Sequence, residues 1–209
     1  MTETTRQKIL DIAAELFAKN GYDSTSIRDI SSEANVNLAS INYHFKNKQN
    51  LYLNVLDNNM DTMRFSLEEI AKDSTNFREY CHLIFEHFRK NSNLFLNCFR
   101  LFINNNLPLE KDNLPGFCNA KDFNPPAFQS MLELLKNELP PTIPTKGIEW
   151  AARHIFNSIA HTNLLLSSTI VQLMEDEVDY LAPDEKKRSL DLLIDSVINY
   201  LKENPDKFE

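Results

Sequence analysis

The sequence predicts an all-α protein, and three observations support this. The chain of 209 residues contains only three glycines. Runs in which apolar and polar residues alternate, as they would in a half-buried strand, are few. Apolar residues recur instead at intervals of three and four, which is the spacing of one face of a helix. Since 42% of the residues are hydrophobic, the chain can bury real cores, and its length suits one small domain and a larger one.

The first helix is predicted to begin at Thr4, with Gln7 as its capping-box partner three residues later. Lys19 lies in the last turn of this helix, and Gly21 supplies the stop at its C-terminal end. The helix has an apolar stripe that we expect to be buried, formed by Ile9, Ile12, Ala13, Leu16 and Phe17.

A second short helix and a tight turn follow. Ser26 and Asp29 have the spacing of a capping box that can start a helix. Asn35 tolerates the left-handed conformation that a sharp turn needs, and Asn37 is a good N-cap for the helix after it. Between these signals, apolar residues recur at helical intervals, at Ile27, Ile30 and Ala34.

The third helix separates two kinds of side chain. Ile41 and Phe45 are predicted to point inward. The other side carries small, hydrogen-bonding or aromatic groups, namely Ala39, Ser40, Asn42, Tyr43 and His44. Two short helices around such a turn form a helix-turn-helix, whose second helix is built to lie in the major groove of DNA. A helical hairpin used only for packing is the alternative, but it does not explain why so many small polar groups share one face.

The rest of the chain is predicted to be helical as well. Asn47 is predicted to cap a long fourth helix, which joins the helix-turn-helix region to the rest of the chain. Its inward face is predicted to carry Tyr52, Val55, Leu56, Met63, Leu67 and Ile70. Later helices are expected over residues 76–90, 93–105, 127–139 and 146–177, with a last helix that opens at Pro183.

Several of these motifs resemble the N-terminal domain of the TetR/AcrR family of bacterial transcriptional regulators. They are Gly21-Tyr22, Thr25-Ser26-Ile27-Arg28-Asp29-Ile30, Val36-Asn37 and Tyr43-His44-Phe45-Lys46-Asn47-Lys48. The resemblance in motifs covers residues 5–56, and beyond Leu56 it is one of architecture only. It implies a three-helix helix-turn-helix head over residues 1–47, joined by a long helix to a helical effector-binding and dimerisation body within residues 48–209.

Carried over residue by residue, the resemblance implies a DNA-binding set of Ser26, Arg28, Asn37, Leu38, Ala39, Ser40, Asn42, Tyr43, His44, Lys46 and Lys48. The Tyr43 hydroxyl and the His44 ring can donate hydrogen bonds to phosphate oxygens, and Lys48 can place a positive charge next to the phosphate backbone of DNA. The amide of Asn42 offers a paired donor and acceptor that suit an adenine edge.

The sequence departs from the family pattern at two positions. The family often has glycine where Asn35 stands, and often an aromatic residue where Asn42 stands, so which group reads a base stays open. Leu38 also has two interpretations. Its spacing to Ile41 favours the core, whereas the resemblance points it to the groove, against a thymine methyl group.

The net charge of −8 comes entirely from residues 57–209. Residues 1–56 contain six basic and six acidic residues, and the other 16 basic and 24 acidic residues lie in 57–209. DNA-binding domains usually have a basic patch, so affinity here has to come from a few positioned cations such as Arg28, Lys46 and Lys48. The acidic body would suppress indiscriminate DNA binding.

Nine of the fourteen phenylalanines lie within 52 residues: Phe77, Phe85, Phe88, Phe95, Phe99, Phe102, Phe117, Phe123 and Phe128. Most of them suit the core of a helical body, but some can line an apolar ligand cavity between helices. The resemblance implies an effector pocket in this region, and its predicted lining is Phe85, Phe88, Phe99, Arg100, Phe102 and Phe128. Arg100 is the candidate for a buried charge that meets a ligand carboxylate; the alternative is a surface arginine.

The last two long apolar segments are either ordinary core or a surface for self-association. One recognition helix reads only half a site, and two-fold pairing places two of them about one DNA turn apart. We therefore expect a homodimer. The predicted interface consists of Ile148, Ala152, Ile155, Ile159, Leu193, Val197 and Leu201.

No enzyme, metal or cofactor site is expected. His154 and His161 lie about 10.5 Å apart along a helix, too far to share one zinc ion directly. An odd, widely spaced set of cysteines (Cys81, Cys98 and Cys118) suits a reducing cytoplasm. The polar N-terminus has no signal-peptide core, and no apolar run reaches ~18 residues, so we expect no membrane span.

The sequence thus predicts a cytoplasmic, non-enzymatic repressor of transcription. It binds double-stranded palindromic operator DNA as a homodimer, and a small apolar or amphipathic effector in the body releases it. A helical ligand-binding module that no longer binds DNA is the main alternative, and it is motivated by the zero charge balance of residues 1–56. A small helical enzyme is the weaker alternative, because no acid–base or metal constellation is visible.

Overall fold

The computed structural model describes residues 5–103, 124–174 and 177–209. Every regular element in these ranges is helical, which confirms the predicted all-α fold. The α-helices are α1 (Thr5–Asn20), α2 (Ile27–Glu33), α3 (Leu38–Phe45), α4 (Lys48–Asp73), α5 (Phe77–Lys90), α6 (Ser92–Phe102), α7 (Phe128–Glu138), α8 (Thr145–Leu166), α9 (Thr169–Met174) and α10 (Pro183–Glu203). Two short 3₁₀ helices, Asp179–Leu181 and Pro205–Phe208, flank α10. Among the described residues, no helix combines the length and the apolar character that a membrane-spanning segment needs.

The chain divides into two compact units. The head unit contains the described residues up to Met63, together with those from Leu94 to residue 103. The body unit contains Arg64–Asn93 and the described residues from Asn124 onward. The predicted division after residue 47 follows the end of the helix-turn-helix, whereas packing divides the chain within α4.

The core of the head unit forms where α1, α2 and α3 contact one another and α4 begins. Tyr52 lies at its centre: its ring packs edge-on against Phe17 and Tyr22, and its hydroxyl donates a 2.7 Å hydrogen bond to the Leu101 carbonyl oxygen. Because that hydroxyl is buried, losing its acceptor would cost free energy. The buried members of the core are Ile9, Leu10, Ala13, Phe17, Ile30, Ile41, Phe45, Leu51, Tyr52, Val55, Leu56 and Leu101.

The body unit is organised around α8, which contacts α5, α7 and α10. Phe88 of α5 meets Phe156 of α8 nearly at right angles, with ring centroids 6.1 Å apart. Gly147 lets α8 approach α10 closely, because a methyl group there would lie 2.5 Å from Leu201 Cδ1 and 3.1 Å from Phe208 Cγ. The body core is therefore closed by contacts within one chain.

A cluster of charged side chains also joins α5 to α10. Arg78 pairs with both Asp191 and Asp195, and its Nη1 lies 2.7 Å from Asp191 Oδ1. His82 Nε2 lies 2.9 Å from the same Asp191 oxygen. The hydrogen bond from His82, then that from Arg78, lowers the pKa of Asp191. The carboxylate thus links two positions of α5 to α10.

Most helix ends follow the predicted capping residues. Asn47 caps α4 by accepting a 2.8 Å hydrogen bond from the Asn50 amide, and Gly21 adopts a φ of 81° after α1. The predicted cap at Thr4 lies outside the described residues, and the Gln7 side chain instead donates to Asp11 Oδ1 at 2.9 Å.

The prediction of one helix over residues 146–177 is wrong. The described chain ends α8 at Leu166 and starts α9 at Thr169. Ser167 bonds back to the preceding turn, with its hydroxyl donating to the Asn163 carbonyl oxygen at 2.7 Å. Serine and threonine offer the backbone such alternatives to continuing a helix, and three of them follow one another here.

Candidate nucleic-acid interface

The start of α2 is built as the capping box predicts. The Asp29 amide donates to Ser26 Oγ at 3.1 Å, and the Ser26 amide donates to Asp29 Oδ2 at 2.8 Å. Hydrogen bonds that the carboxylate of Asp29 accepts from the Ser26 hydroxyl and, second, from the Ser26 amide lower the pKa of this carboxyl group. The two bonds of the capping box satisfy two amides that would otherwise lack partners, so α2 begins at a defined residue.

The turn between α2 and α3 is held by polar groups of the turn itself. Asn35 has a φ of 50°, as expected for a residue that tolerates the left-handed region. The Ser31 hydroxyl donates to the Val36 carbonyl oxygen at 2.7 Å, and the Ser31 carbonyl oxygen accepts a hydrogen bond from the Val36 amide at 3.0 Å. Asn37 then caps α3 by accepting the Ser40 amide at 2.7 Å. The orientation of α3 therefore follows from side chains within this short segment.

α3 buries one side and exposes the other, as predicted. Ile41 and Phe45 are 0% and 2% exposed, whereas Tyr43 is 84% exposed. The other exposed side chains of the helix are Leu38, Ala39, Asn42 and His44, and Ser40 is partly buried. Leu38, for which the sequence allows either a core position or a groove contact, is 39% exposed and lies outside the head core.

The cations around α3 differ in how they are held. Arg28 and Lys46 are exposed, and neither forms an ion pair with another described residue. Lys48 is fixed: its Nζ lies 4.2 Å from the centre of the Tyr22 ring and 3.4 Å from the Asp23 carbonyl oxygen. An ammonium over an aromatic face is attracted by the ring quadrupole, so Lys48 has a defined position next to α3.

Two supporting residues were not predicted from the sequence. Tyr22 holds Lys48, and burial raises the pKa of its hydroxyl, with a further contribution from the charge of Asp23. Arg6 lies 5.4 Å over the Phe45 ring and donates to Asn54 Oδ1 at 2.8 Å. The Gly21-Tyr22 motif was the available signal for Tyr22, whereas nothing in the spacing pointed to Arg6.

Lys46 was predicted to contact DNA, but its backbone conformation was not foreseen. It ends α3 with a φ of 66°, and its amide donates to the Asn42 carbonyl oxygen at 3.0 Å. With a ψ of −51°, Lys46 lies at the centre of a γ-turn, which the Asn47 amide closes on the Phe45 carbonyl oxygen at 2.8 Å, and this conformation is rare and strained. The sharp stop projects Lys46 beyond the end of α3.

Together these groups form a narrow polar surface with cations on its borders. Asn42 offers a donor and an acceptor, and Tyr43 and His44 present polar aromatic rings with centroids 5.2 Å apart. Among the described residues, no group of side chains could hold a metal ion. A surface of this chemistry suits base edges and phosphates.

The residues of the predicted effector pocket fall into both units. Phe85, Phe88 and Phe128 belong to the body unit, and all three are buried. Phe99, Arg100 and Phe102 belong to the head unit. Arg100 is exposed and Phe102 is 48% exposed, so Arg100 agrees with the alternative interpretation as a surface arginine. The two remaining phenylalanines of the cluster, Phe117 and Phe123, lie outside the described residues.

The predicted dimer contacts need correction. Ile155 is fully buried in its own chain and Val197 is 5% exposed, so the first has no surface left for a partner and the second has little. The same holds for Ile148, Ala152, Ile159 and Leu201, and Leu193 is partly buried. The periodicity correctly marked these positions as buried, but they pack α8 and α10 within one chain.

The segment that contains the helix-turn-helix matches a known protein family. Residues 9–55 match the family described as bacterial regulatory proteins, tetR family. This segment contains α2, α3 and the turn between them, together with most of α1.

Relatives match the chain over segments of similar length. The chain is 42% identical over 53 residues to IcaR of Staphylococcus epidermidis, described as a biofilm operon icaADBC HTH-type negative transcriptional regulator. It is 42% identical over 52 residues to the HTH-type transcriptional regulator QacR of Staphylococcus aureus. Each match covers 25% of this chain, and the two cover 29% and 28% of the relatives' own lengths.

Solved structures resemble the chain over most of its length. The transcriptional regulator FadR from Bacillus subtilis, in complex with stearoyl-CoA, has a TM-score of 0.62 at 22% identity, covering 90% of this chain and 96% of that one. A TetR transcriptional regulator from Legionella pneumophila has a TM-score of 0.56 at 22% identity, covering 98% and 100%. At such identities the likeness shows a shared fold.

Proposed function

Because residues 9–55 of this chain match the tetR family of bacterial regulatory proteins, we propose that the protein is a homodimeric repressor of transcription. Each copy inserts α3 into the major groove of one half of a palindromic operator, and a small effector bound in the body releases it. The observation that carries this proposal is the exposed polar side of α3, on which Tyr43 is 84% exposed.

The contacts divide by chemistry. Asn42 reads a base edge through its amide, while Tyr43 and His44 donate to phosphate oxygens. Arg28, Lys46 and Lys48 supply the positive charge, and Leu38 reaches the groove as an apolar contact. Ser26 and Asn37 already bond their own helix ends, so they act by presenting helix N-termini to phosphates.

The charge distribution sets the conditions under which this binding can be seen. Residues 1–56 are neutral by count and residues 57–209 carry the net −8, so non-specific attraction to DNA is weak. Few phosphate contacts also mean a shallow salt dependence. A specific operator is therefore needed to hold the protein on DNA.

Pairing of two copies is proposed to use the exposed sides of α8 and α10 in place of their buried sides. Trp150 and Tyr200 are 36% and 41% exposed, and their ring centroids lie 6.1 Å apart. Leu192 is 57% exposed on the same helix as Tyr200. Polar residues continue the exposed stripe of α8 at helical spacing, namely His154, Asn157 and His161. Aromatic and apolar groups among polar ones are typical of protein–protein contacts.

The effector acts by shifting a population of conformations. A ligand that binds one conformation of the body more tightly than another favours that conformation. α4 is one continuous helix of 26 residues whose parts belong to both units, so a change in the body can reach the head through it. Operator and effector must then weaken each other's binding by the same factor.

Selection of bound duplexes from random DNA, at a stated low salt concentration, tests the proposal. We expect an inverted repeat whose half-sites lie about one helical turn, ~10 base pairs, apart. Sedimentation should give a species of twice 24.2 kDa. If no sequence is enriched while the protein is folded, the ligand-binding module without DNA function is the better assignment.

A further inference from the structure

A cavity of about 340 Å³ lies in the body unit between α5, α8, α9 and α10. Small-molecule sites typically enclose on the order of 300–1,000 Å³, so this space suits a small ligand. Ile159 and Leu193, which the sequence suggested for the dimer interface, line it, as does Phe85. The other residues of the predicted pocket do not contribute to its lining.

The lining is apolar except for three hydroxyl groups and one charge. Phe85, Leu166 and Leu190 contribute buried apolar surface. Lys186 is the charged side chain among the described residues that line the cavity. A lysine ammonium carries three donors, so Lys186 can meet a ligand carboxylate besides any contact within the chain.

Lys186 also connects the cavity to a polar groove. The groove, of about 610 Å³, lies between α5 and the start of α10, and shares Phe85, Lys186 and Leu190 with the cavity. Three carboxylates and three cations line it, namely Glu79, Glu86, Asp184, Arg89, Lys186 and Lys187. A balanced groove of this kind gives no net attraction for a multiply charged group. Lys186 is the cation that lines both the groove and the apolar cavity.

We propose that this cavity binds a small amphipathic monocarboxylate, with its apolar tail against Phe85, Leu166 and Leu190 and its carboxylate on Lys186. The inference deepens the proposed function, on which it rests for the role of the ligand as effector. Binding itself requires no DNA. The site differs from the predicted phenylalanine pocket, because it uses the C-terminal half of α8 and the first turns of α10.

Calorimetric titration of the full chain with decanoate tests the ligand class. Decanol is the matched probe without charge, and we expect it to bind at least about tenfold more weakly, since a hydrogen bond between charged groups is lost. Octanoate, two methylenes shorter, should also bind about tenfold more weakly if the tail is buried.

Two substitutions locate the site. Lys186→Met keeps an unbranched side chain, shorter by one atom, and removes its charge, so decanoate should lose about tenfold or more in affinity while decanol is unaffected. Lys187→Met is the matched control, because Lys187 lines the groove but not the cavity, and it should bind decanoate like the wild type. Ser158→Phe places a large side chain in the cavity and should abolish binding of both probes.

The outcomes separate this inference from the proposed function. Absence of decanoate binding at millimolar concentration, or unchanged decanoate affinity in Lys186→Met, would overturn the inference. So would wild-type affinity in a folded Ser158→Phe variant. Should Ser158→Phe fail to fold, the paired lysine variants still decide. If decanoate binds as expected but does not change operator affinity, the site stands and effector release fails.

Discussion

The head and body units differ in what their apolar patterns reveal. In the head, each apolar residue predicted to face inward on α3 is buried, and the polar side of that helix faces solvent. In the body, residues such as Ile155 and Val197 are equally well predicted to be buried, but burial within one chain leaves them little or no surface for the partner copy that the prediction assigned to them. The same kind of pattern thus predicted burial in both units, but in the body it did not identify what covers the buried side.

The difference teaches what helical periodicity measures. Apolar residues at intervals of three and four indicate that one side of a helix is buried, but they do not indicate which surface covers it. In the head, caps and turns lie within a few residues of one another, so local chemistry also determines what packs on the stripe. In the body, α8 and α10 come from distant parts of the chain, and no local signal tells an internal contact from a contact with a second copy.

The largest expected effect tests this ambiguity in the body. Ile155→Asp should destabilise the folded chain by more than about 4 kcal/mol, because it buries an unpaired carboxylate at a fully buried position. Thermal unfolding followed by circular dichroism measures the loss.

The matched control for Ile155→Asp is Leu192→Asp on the exposed side of α10, where the side chain is 57% exposed. It should change the free energy of unfolding by less than about 0.5 kcal/mol and should weaken dimerisation in sedimentation. If Ile155→Asp instead gave a stable folded monomer, Ile155 would belong to an interface between copies.

A second expectation tests the head in the same way. Ile41→Ala should cost about 2–5 kcal/mol of stability, since it leaves a cavity at a position with no exposure. Urea unfolding of the full chain measures it. Tyr43→Ala, two residues later on the same helix, should cost no more than about 0.5 kcal/mol. Equal losses at the two positions would show that α3 is packed on both sides.

A structural feature is predictable from the sequence when the residues that determine it are close together in the chain. The capping box at Ser26, the left-handed Asn35 and the cap at Asn37 were all predictable, because each depends on neighbouring residues. The break after Leu166 was missed because apolar residues continue in phase beyond it. The cavity was missed because Phe85 and Lys186 lie a hundred residues apart in the sequence, and only packing brings them together.

The candidate DNA interface allows a prediction of intermediate size. Asn42→Ala should cost about 1–3 kcal/mol of operator binding and relax the preference at one base pair of each half-site. Lys46→Ala should instead weaken all duplexes alike and reduce the salt slope by about one per copy. Gel-shift titration against single-base operator variants at several salt concentrations distinguishes the two. A uniform loss in Asn42→Ala would assign Asn42 to a phosphate.

The smallest expected effect concerns the turn, where the head departs from the family pattern. Asn35 has a φ of 50°, and glycine adopts this region without a steric penalty, whereas asparagine tolerates it through its short polar side chain. The greater freedom of glycine in the unfolded chain opposes this gain. Asn35→Gly should therefore change the free energy of unfolding by less than about 1 kcal/mol. Asn35→Val, which is β-branched, should destabilise the head by about 1–2 kcal/mol. Urea unfolding measures both, and equal stability of the two variants would mean that the turn relaxes to another conformation at no cost.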